Sequence, residues 1–353
     1  MEHREILHVD MDAFFAAVEE KKDPTLKNLP LVIGMNNSKS VVSTANYCAR
    51  KYGIHSAMPI YKAKLLCKDL IIREPHFSEY EDYHHRIIDL LRTEFTDQIE
   101  VCSIDECYLD ITDLSKDKTP KYIALMIQNR IRQKIGLSCS IGIAHNKFLA
   151  KTATDLHKPN GITTLYRDEL MEKFWPLKIE KMQMVGPSTA LFLHQNNIHL
   201  ISDLAKLNKK HLIKLLGANG AHIYECVHGI SSDRVVWQKQ LPKSISSGST
   251  FYRDTNDENE ITRTLAEHVQ IVTSRLLHEK ILAKRITLQV KSERRRMIGK
   301  SVTFATPTQD CEQLLFIINQ LYEQNFINHT LRYVGVAVSQ IIPIRDNPAH
   351  LFR

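Results

Sequence analysis

The chain has 353 residues, 43% of them hydrophobic and 25% charged, and it carries a net charge of +7. These proportions are typical of a globular protein and exclude a low-complexity or disordered chain, while the length predicts two or three domains. No apolar run approaches the roughly 20 residues that a membrane-spanning helix needs, and the first residues lack the features of a signal peptide. The seven cysteines show no paired spacing, which favours reduced thiols in a cytoplasmic protein.

The first predicted strand is the apolar run at residues 6–9, which stops at Asp10. Asp12 follows and directly precedes a predicted helix at residues 13–21. A short acidic side chain in that position is expected to cap the helix, so we assign Asp12 a structural role.

Residues 34–40 contain glycine, lysine and serine, as a phosphate-binding loop does, but the second glycine of such a loop is missing. We predict instead a hairpin turn between strands at residues 31–33 and 41–43.

A second acidic spot follows, where Asp105 and Glu106 separate two apolar runs at residues 101–104 and 107–111. These runs predict two strands that fold back on each other, and the bend lets both acids serve one site. Carboxylates gathered in one place repel each other and bind protons unless cations lie between them. Hard oxygen ligands of this kind suit Mg²⁺, so the pattern predicts metal-assisted phosphoryl transfer, although an isolated Asp-Glu pair is more often a solvated turn.

Composition changes at residues 158–170, where a Pro-Asn-Gly turn closes an α/β region, and again at the polar residues 235–249. Short amphipathic helices are predicted between these breaks. After the second break, the pattern predicts a strand, a helix, two strands, a helix and a strand, at residues 244–251, 257–282, 285–292, 300–305, 309–324 and 331–340. This order implies a sheet with helices on one face. The first of these helices carries an apolar stripe that we assign to the core, formed by Ile261, Leu265, Val269, Val272 and Leu276.

Residues 280–300 hold eight basic side chains against one acid, Glu293. Such clustering is expected of a surface that binds nucleic acid. The residues predicted to contact DNA are Lys291, Arg294, Arg295, Arg296 and Lys300.

Four motifs, HVDMDAFFAAVEE, VSTANYCARKYGIHSAMP, SIDECYLDIT and KPNG, occur in this order, and together they resemble the DinB-type group of Y-family DNA polymerases. The resemblance runs from about residue 6 to residue 340. It implies an error-prone, template-directed DNA polymerase of translesion synthesis, located in the cytoplasm at the nucleoid and monomeric. Its fold would be an α/β (α+β) right hand, with a palm at 1–18 and 76–165, fingers at 19–75, a helical thumb at 166–233, a linker at 234–243, an α/β little finger at 244–342 and a tail at 343–353.

The resemblance also implies a role for individual residues. Two Mg²⁺ ions would be held by Asp10, the Met11 carbonyl, Asp105 and Glu106. The triphosphate of the incoming deoxynucleotide (dNTP) would be bound by Thr44, Tyr47, Arg50 and Lys158. Phe15 stands at the steric-gate position, where a bulky side chain excludes the 2′-hydroxyl of a ribonucleotide, and Phe14 beside it is expected to be structural.

Two features concern further contacts with DNA and partners. Related thumbs carry a Pro-Gly-x-Gly hairpin that holds a DNA phosphate, but Met184 replaces a glycine here, and its side chain is expected to prevent the tight turn. In the tail, Leu351 and Phe352 resemble the short peptides that dock on a sliding clamp. The predicted partners are therefore primer-template DNA, dNTP and a sliding clamp.

Two rival functions belong to other classes. A nucleotide cyclase shares palm-type chemistry but lacks the thumb and the basic C-terminal domain. A catalytically dead relative that serves as a DNA-binding scaffold is disfavoured because Asp10, Asp105 and Glu106 are all present.

Overall fold

The computed structural model describes residues 4–37, 39–238, 240–292 and 296–344. The chain divides into two compact units, Met1–Gln238 and Lys239–Arg353, each with its own hydrophobic core. Within the described residues, none of the helices combines the length and the apolar character needed to cross a membrane.

In chain order, the strands of the first unit are β1 (Ile6–Met11), β2 (Leu31–Ile33), β3 (Thr44–Ala45), β4 (Ile71–Arg73), β5 (Ile99–Val101), β6 (Glu106–Asp110), β7 (Cys139–Ala144) and β8 (Ile162–Thr164). Its α-helices are α1 (Phe14–Lys22), α2 (Tyr47–Arg50), α3 (Ile60–Leu66), α4 (Phe77–Glu94), α5 (Pro120–Lys134), α6 (Lys147–Leu156), α7 (Leu170–Lys173), α8 (Pro187–Gln195), α9 (Ile201–Ala205), α10 (Lys209–Leu216) and α11 (Ala218–Val227).

The larger sheet of this unit has the strand order β5-β6-β1-β7-β8. Strand β1 lies at its centre and pairs antiparallel with β6 and β7. Leu7 and Val9 pack in a core shared with α4 and α5, whereas Ile6 packs in a core shared with α6. Because successive side chains of a strand point to opposite faces, Asp10 lies on the α6 side of the sheet.

The predicted acidic hairpin is present as β5 and β6, although β5 ends at Val101 rather than at residue 104 and β6 begins one residue earlier than expected. Strand β1 continues through Asp10 to Met11. The Met11 N–H donates to the Asp105 carbonyl oxygen at 2.9 Å, which attaches the turn of the hairpin to the end of β1. The expected cap of α1 is wrong: the capping position is Ala13, which has no side-chain capping bond, and Asp12 is buried and bonded elsewhere.

A smaller sheet has the order β3-β2-β4. The strand predicted at residues 41–43 is displaced to Thr44–Ala45, because Val42 exchanges backbone hydrogen bonds with Ala57 and Met58 instead of pairing with β2. Strand β3 therefore begins at Thr44, three residues before the start of α2.

Helices α7 to α11 follow the larger sheet. The expectation that the Met184 side chain prevents the tight turn is wrong. The tight turn forms, with Val185 N–H donating to the Met182 carbonyl oxygen at 3.1 Å, and Met184 itself adopts the left-handed region at φ 70°. Its side chain is half exposed. The side chain therefore does not prevent the turn, and the strain of the left-handed conformation is tolerated.

The second unit contains β9 (Ser244–Thr255), α12 (Glu258–Glu279), β10 (Ile281–Ser292), β11 (Met297–Thr308), α13 (Cys311–Phe326) and β12 (Leu331–Pro343). The predicted order of elements is confirmed, in an antiparallel sheet with the strand order β11-β10-β12-β9. All five residues of the predicted apolar stripe are fully buried in its core. Helix α12 ends three residues earlier than predicted, because Lys280 adopts a left-handed conformation at φ 54° and the chain turns there into β10.

Gly142 of β7 allows α6 to lie directly on the sheet. A Cβ atom at this position would stand 1.9 Å from the Ala150 carbonyl oxygen and 2.5 Å from the Thr154 backbone nitrogen. We predict that Gly142→Ala lowers the free energy of unfolding by about 1–3 kcal/mol, the usual cost of overpacking a dense core. Urea denaturation of the two proteins measures the difference.

Gly186 provides the matched control, since it has φ −77° and a Cβ atom there would meet nothing within 4 Å. Gly186→Ala should change the stability by less than about 1 kcal/mol. Equal effects of the two substitutions would contradict the close packing of α6 on β7.

Candidate active site

One cavity of about 230 Å³ in the first unit gathers most of the predicted site residues. The predicted residues that line it are Asp10, Met11, Thr44, Tyr47, Arg50, Asp105 and Lys158. Ala13, Phe14, Ser43 and Ser56 complete the lining. Glu106 and Phe15 lie beside this lining rather than in it.

The acids come from the end of β1 and from the β5–β6 hairpin, which the sequence separates by almost a hundred residues. The β1–β6 register places Asp10 directly opposite Glu106, so their side chains share the α6 face of the sheet. Asp105 lies in the turn before β6, where the Ser103 hydroxyl donates to its Oδ1 atom at 2.5 Å. The bend turns Asp105 towards the cavity that Asp10 also lines, as the sequence predicts.

Lysine side chains lie against two of these acids. Lys158 Nζ is 2.8 Å from Asp10 Oδ2 and also 2.8 Å from Asp155 Oδ1, and Lys151 forms an ion pair with Glu106. Each lysine thus compensates the charge of one acid, Asp10 or Glu106, and the Mg²⁺ expected between the acids stays a prediction.

The surroundings shift the pKa values of the two strand acids in opposite directions. Burial raises the pKa of Asp10, although the charge of Lys158 opposes the shift. His8 and Lys151 lower the pKa of Glu106 to about 2, which keeps this carboxylate ionised. Burial lowers the pKa of His8, whose Nε2 atom lies 3.4 Å from Glu106 Oε2.

The pKa of Lys158 reflects its acidic partners. Burial alone would lower it, but Asp10 and Asp155 outweigh burial and raise it. Lys158 is therefore a cation throughout the physiological pH range.

The donor set of the site is one of hard oxygens: the carboxylates of Asp10, Asp105 and Glu106 and the backbone carbonyl of Met11. These are the ligands that suit Mg²⁺ and other small divalent cations. In the described part of the chain, no three His, Cys, Asp or Glu side chains already surround one point as metal ligands. The residues fit a metal in type and position, but Asp10 and Glu106 must exchange their lysine partners for it.

A second group of lining side chains, which we call the cationic wall, carries cations and hydroxyl groups. The Arg50 guanidinium lies over the ring of Tyr47, 4.7 Å from its centroid, and Arg50 Nε donates to the Ala45 carbonyl oxygen at 2.9 Å. Burial and the charge of Asp12 raise the pKa of Tyr47 to about 12, so its hydroxyl stays protonated as a donor. Together with Thr44 and Lys158, this wall can receive a polyanion.

Phe15 lies in an aromatic cluster at the start of α1. Its ring stacks on the ring of Tyr80 at a centroid distance of 4.3 Å and an angle of 12°, and the ring of Phe77 meets it edge-on at 6.0 Å. The neighbouring Phe14 is buried and belongs to the lining of the cavity.

Sequence reasoning missed several residues around the site, among them His8, Ser103 and Lys151. Lys147 and Lys151 are four residues apart on α6 and pair with Glu100 and Glu106, six residues apart in the hairpin. That spacing was a usable signal, because residues four apart lie on one face of a helix. No comparable signal marks His8 or Ser103.

The predicted DNA-contact residues of the second unit lie on different faces of its sheet. Lys291 of β10 pairs with Met297 of β11 and with Tyr333 of β12. Its side chain lies on the same face of β10 as those of Arg285, Thr287 and Gln289, opposite the buried core. Lys300 pairs with Leu288, a core residue, and so points to the helix side of edge strand β11.

Of the three arginines in that predicted cluster, only Arg296 is among the described residues. Arg296 is exposed immediately before β11. Arg294 and Arg295 lie outside the described residues, as do Leu351 and Phe352 of the tail.

Comparison with known proteins gives consistent matches along the chain. Residues 9–155 match the impB/mucB/samB family, and residues 242–351 match the C-terminal domain of that family. The chain is 36% identical over 343 residues to DNA polymerase IV of Oceanobacillus iheyensis, covering 96% of this chain and 81% of that protein. It is 33% identical over 353 residues to DNA polymerase IV of Ureaplasma parvum, covering 98% and 97%.

Solved structures agree with this assignment. The Y-family DNA polymerase chimera Dbh-Dpo4(243-245)-Dbh superposes with a TM-score of 0.82 at 27% identity, covering 96% of this chain and 99% of that one. DinB from Sulfolobus solfataricus superposes with a TM-score of 0.67 at 28% identity, with the same coverage. The chain therefore belongs to the impB/mucB/samB family of Y-family DNA polymerases, and it is a divalent-metal-dependent translesion DNA polymerase.

Proposed function

We propose that this chain copies damaged templates with low fidelity, and that its chemistry takes place in the cavity between Asp10 and Arg50. It would transfer a deoxynucleotide from dNTP to the 3′-hydroxyl of a primer and release pyrophosphate. The observation that carries the proposal is the composition of that one cavity, whose lining combines acids with cations and hydroxyl donors.

The acids Asp10 and Asp105 are proposed to take part in holding two Mg²⁺ ions. Glu106 and the Met11 carbonyl would complete the protein ligands. When bound, two such ions supply positive charge at the attacking and leaving oxygens of an in-line displacement. The remaining work of the protein is to position and to neutralise charge, which is what phosphoryl transfer chiefly requires.

The cationic wall is proposed to bind the triphosphate. Thr44 and Tyr47 would donate hydroxyl hydrogen bonds, while Arg50 and Lys158 would supply charge. Lys158 is well suited because it remains protonated and can leave Asp10 for a phosphate oxygen as the acid takes up a metal ion. This exchange of partners keeps the net charge around Asp10 nearly constant.

Phe15 is proposed as the steric gate. Its ring rests on Tyr80, whose hydroxyl donates to Glu19 at 2.8 Å, so it has a firm support on one side. A supported aromatic ring cannot yield easily to a 2′-hydroxyl on an incoming sugar.

Primer-template DNA is proposed to contact the face of the second unit that carries Lys291. Besides Met297 and Tyr333, the paired residues on that face are basic, small or polar, and none of them is an acid. Such contacts would be to phosphates, which position DNA without reading its sequence. The sliding clamp is proposed as a partner of Leu351 and Phe352, and the protein is proposed to act as a cytoplasmic monomer at the nucleoid.

Replacing one acid should separate chemistry from binding. We predict that Asp105→Asn lowers turnover by about three orders of magnitude or more, because transition-state charge loses its main stabilisation. Primer-template affinity should change by less than about threefold, since phosphate contacts elsewhere dominate it. Primer extension with Mg²⁺ measures the turnover of the variant, and fluorescence anisotropy measures its affinity for primer-template DNA. Near-normal turnover would contradict the proposed role of Asp105 as a metal ligand.

Removing the bulk of the gate should admit ribonucleotides. Phe15→Ala is expected to lower the preference for deoxynucleotides over ribonucleotides by about a hundredfold, the order of discrimination that one apolar contact can supply. The ratio of kcat/KM values for the two substrates is the measurement. Tyr80→Phe keeps the stacked ring and should retain most of the preference, whereas an unchanged ratio in Phe15→Ala means that the gate lies elsewhere.

The two faces of the second unit can be compared directly. Lys291→Ala should reduce the slope of log affinity against log salt by about 0.9, the value for one lost phosphate contact on duplex DNA. Lys300→Ala, on the helix side, is the matched control and should leave the slope unchanged. If both variants lose the same slope, phosphate contacts are not confined to the Lys291 face and the proposed face is wrong.

A further inference from the structure

Asp12 is the most deeply buried acid beside the cavity, with 4% of its surface exposed. Its Oδ1 atom accepts a hydrogen bond from the Ser140 hydroxyl at 2.7 Å, and the Tyr47 hydroxyl lies 3.4 Å from the same atom. Its Oδ2 atom accepts from the Asn160 backbone N–H at 2.9 Å. Asp12 is not one of the residues that line the cavity.

These three donors belong to separate segments of the first unit. Ser140 is in β7, next to the central strand β1 of the larger sheet, Tyr47 begins α2, and Asn160 follows Lys158 by two residues. Two of the three segments therefore carry the cavity side chains proposed to hold the triphosphate. Asp12 itself follows the end of β1, two residues after Asp10.

A buried carboxylate is costly unless its oxygens are well bonded, and bonds to a charged acceptor are stronger than neutral ones. Here both oxygens are bonded, and the partners are a backbone amide and two hydroxyl groups. The arrangement connects the loop of Lys158 and the first turn of α2 to the rigid end of β1. A change at Asp12 would release both segments at once.

We propose that Asp12 is a positioning residue for nucleotide binding, which sets the placement of Lys158 and Tyr47 relative to Asp10. This inference rests on the proposed role of those side chains in binding the triphosphate. Asp12 would not touch the substrate, and its effect would pass through the two segments that it holds.

The test is Asp12→Asn, which keeps the size of the side chain but replaces one acceptor oxygen with an NH₂ group. That group cannot accept from the Asn160 N–H while the other oxygen serves Ser140. The apparent Kd for the correct dNTP, taken from single-turnover incorporation on a primer-template, should rise about tenfold, equivalent to about 1.4 kcal/mol. The maximal rate should change less than the Kd.

A double-mutant cycle with Lys158→Ala identifies the route of the effect. If Asp12 acts through the Lys158 loop, the two substitutions together should raise the Kd by clearly less than the product of their separate effects. Fully multiplicative effects would overturn the proposal. If Lys158→Ala alone leaves the Kd unchanged, the role of Lys158 in the proposed function fails, and Asp12→Asn then tests the remaining route through Tyr47.

Asp110→Asn is the matched control for the loss of a buried carboxylate. Asp110 is 6% exposed in the same sheet, accepts from the Thr112 N–H at 3.0 Å and from Arg4 at 2.6 Å, and lies at the end of β6 that is remote from the cavity. It should lower the melting temperature without raising the Kd. An Asp12→Asn protein that likewise loses only stability, with its Kd within twofold of the wild type, would show a purely structural role.

Ser140→Ala keeps the test decisive if Asp12→Asn does not fold. It removes one donor to Asp12 from a fully buried position and leaves every charge in place. A smaller rise in Kd, of about threefold, is expected because one neutral hydrogen bond is lost. A folded Ser140→Ala protein with an unchanged Kd would overturn the proposal.

Discussion

The mutual repulsion of carboxylates on one edge of a sheet is the constraint on which the rest of this active site depends. The antiparallel register sets Asp10 opposite Glu106, and the bend of the hairpin adds Asp105. Such a cluster is stable only with positive charge between its members. Lys158 lies against Asp10 and Lys151 against Glu106, and these two lysines provide positive charge to the cluster. The acids proposed to hold metal ions are thus compensated by lysines in this structure.

Helix α6 brings one of these cations to the sheet. Lys147 and Lys151 project from one face of the helix towards Glu100 and Glu106, and Asn146 caps the first turn by accepting from the Leu149 N–H at 3.0 Å. The helix can approach closely because β7 has no side chain at Gly142. The close packing of α6 on the face of the sheet opposite the α4 and α5 core therefore places the lysines that pair with Glu100 and Glu106.

Much of the fold and the position of the acids could be predicted from the sequence, because they follow from local patterns. Alternating and continuous apolar runs predicted β1, the acidic hairpin and the order of elements in the second unit. The buried stripe of α12 was predicted in the same way, from the spacing of its apolar residues. The errors arose where a residue bonds to partners far away in the chain. The position of Asp12 before α1 predicts a helix cap. Its carboxylate instead accepts hydrogen bonds from Tyr47, Ser140 and Asn160. The early end of α12 was hidden for a different reason, since Lys280 adopts a left-handed conformation without the glycine that usually signals it.

The wall proposed to bind the triphosphate depends on buried polar groups more than on a large core. Helix α2 has only four residues, too few to be stable alone. Asn46 fixes its start by accepting from the Ala49 N–H at 2.9 Å and donating to Glu20 and the Leu29 carbonyl oxygen at 2.6 and 2.8 Å. Asp12, directly after β1, then accepts from the Tyr47 hydroxyl. Two buried polar side chains thus determine where Tyr47 and Arg50 stand. Preorganisation of this kind matters most in an enzyme whose contribution to catalysis is to place charge around a phosphate, because misplacement by about 1 Å can cost a hundredfold in rate.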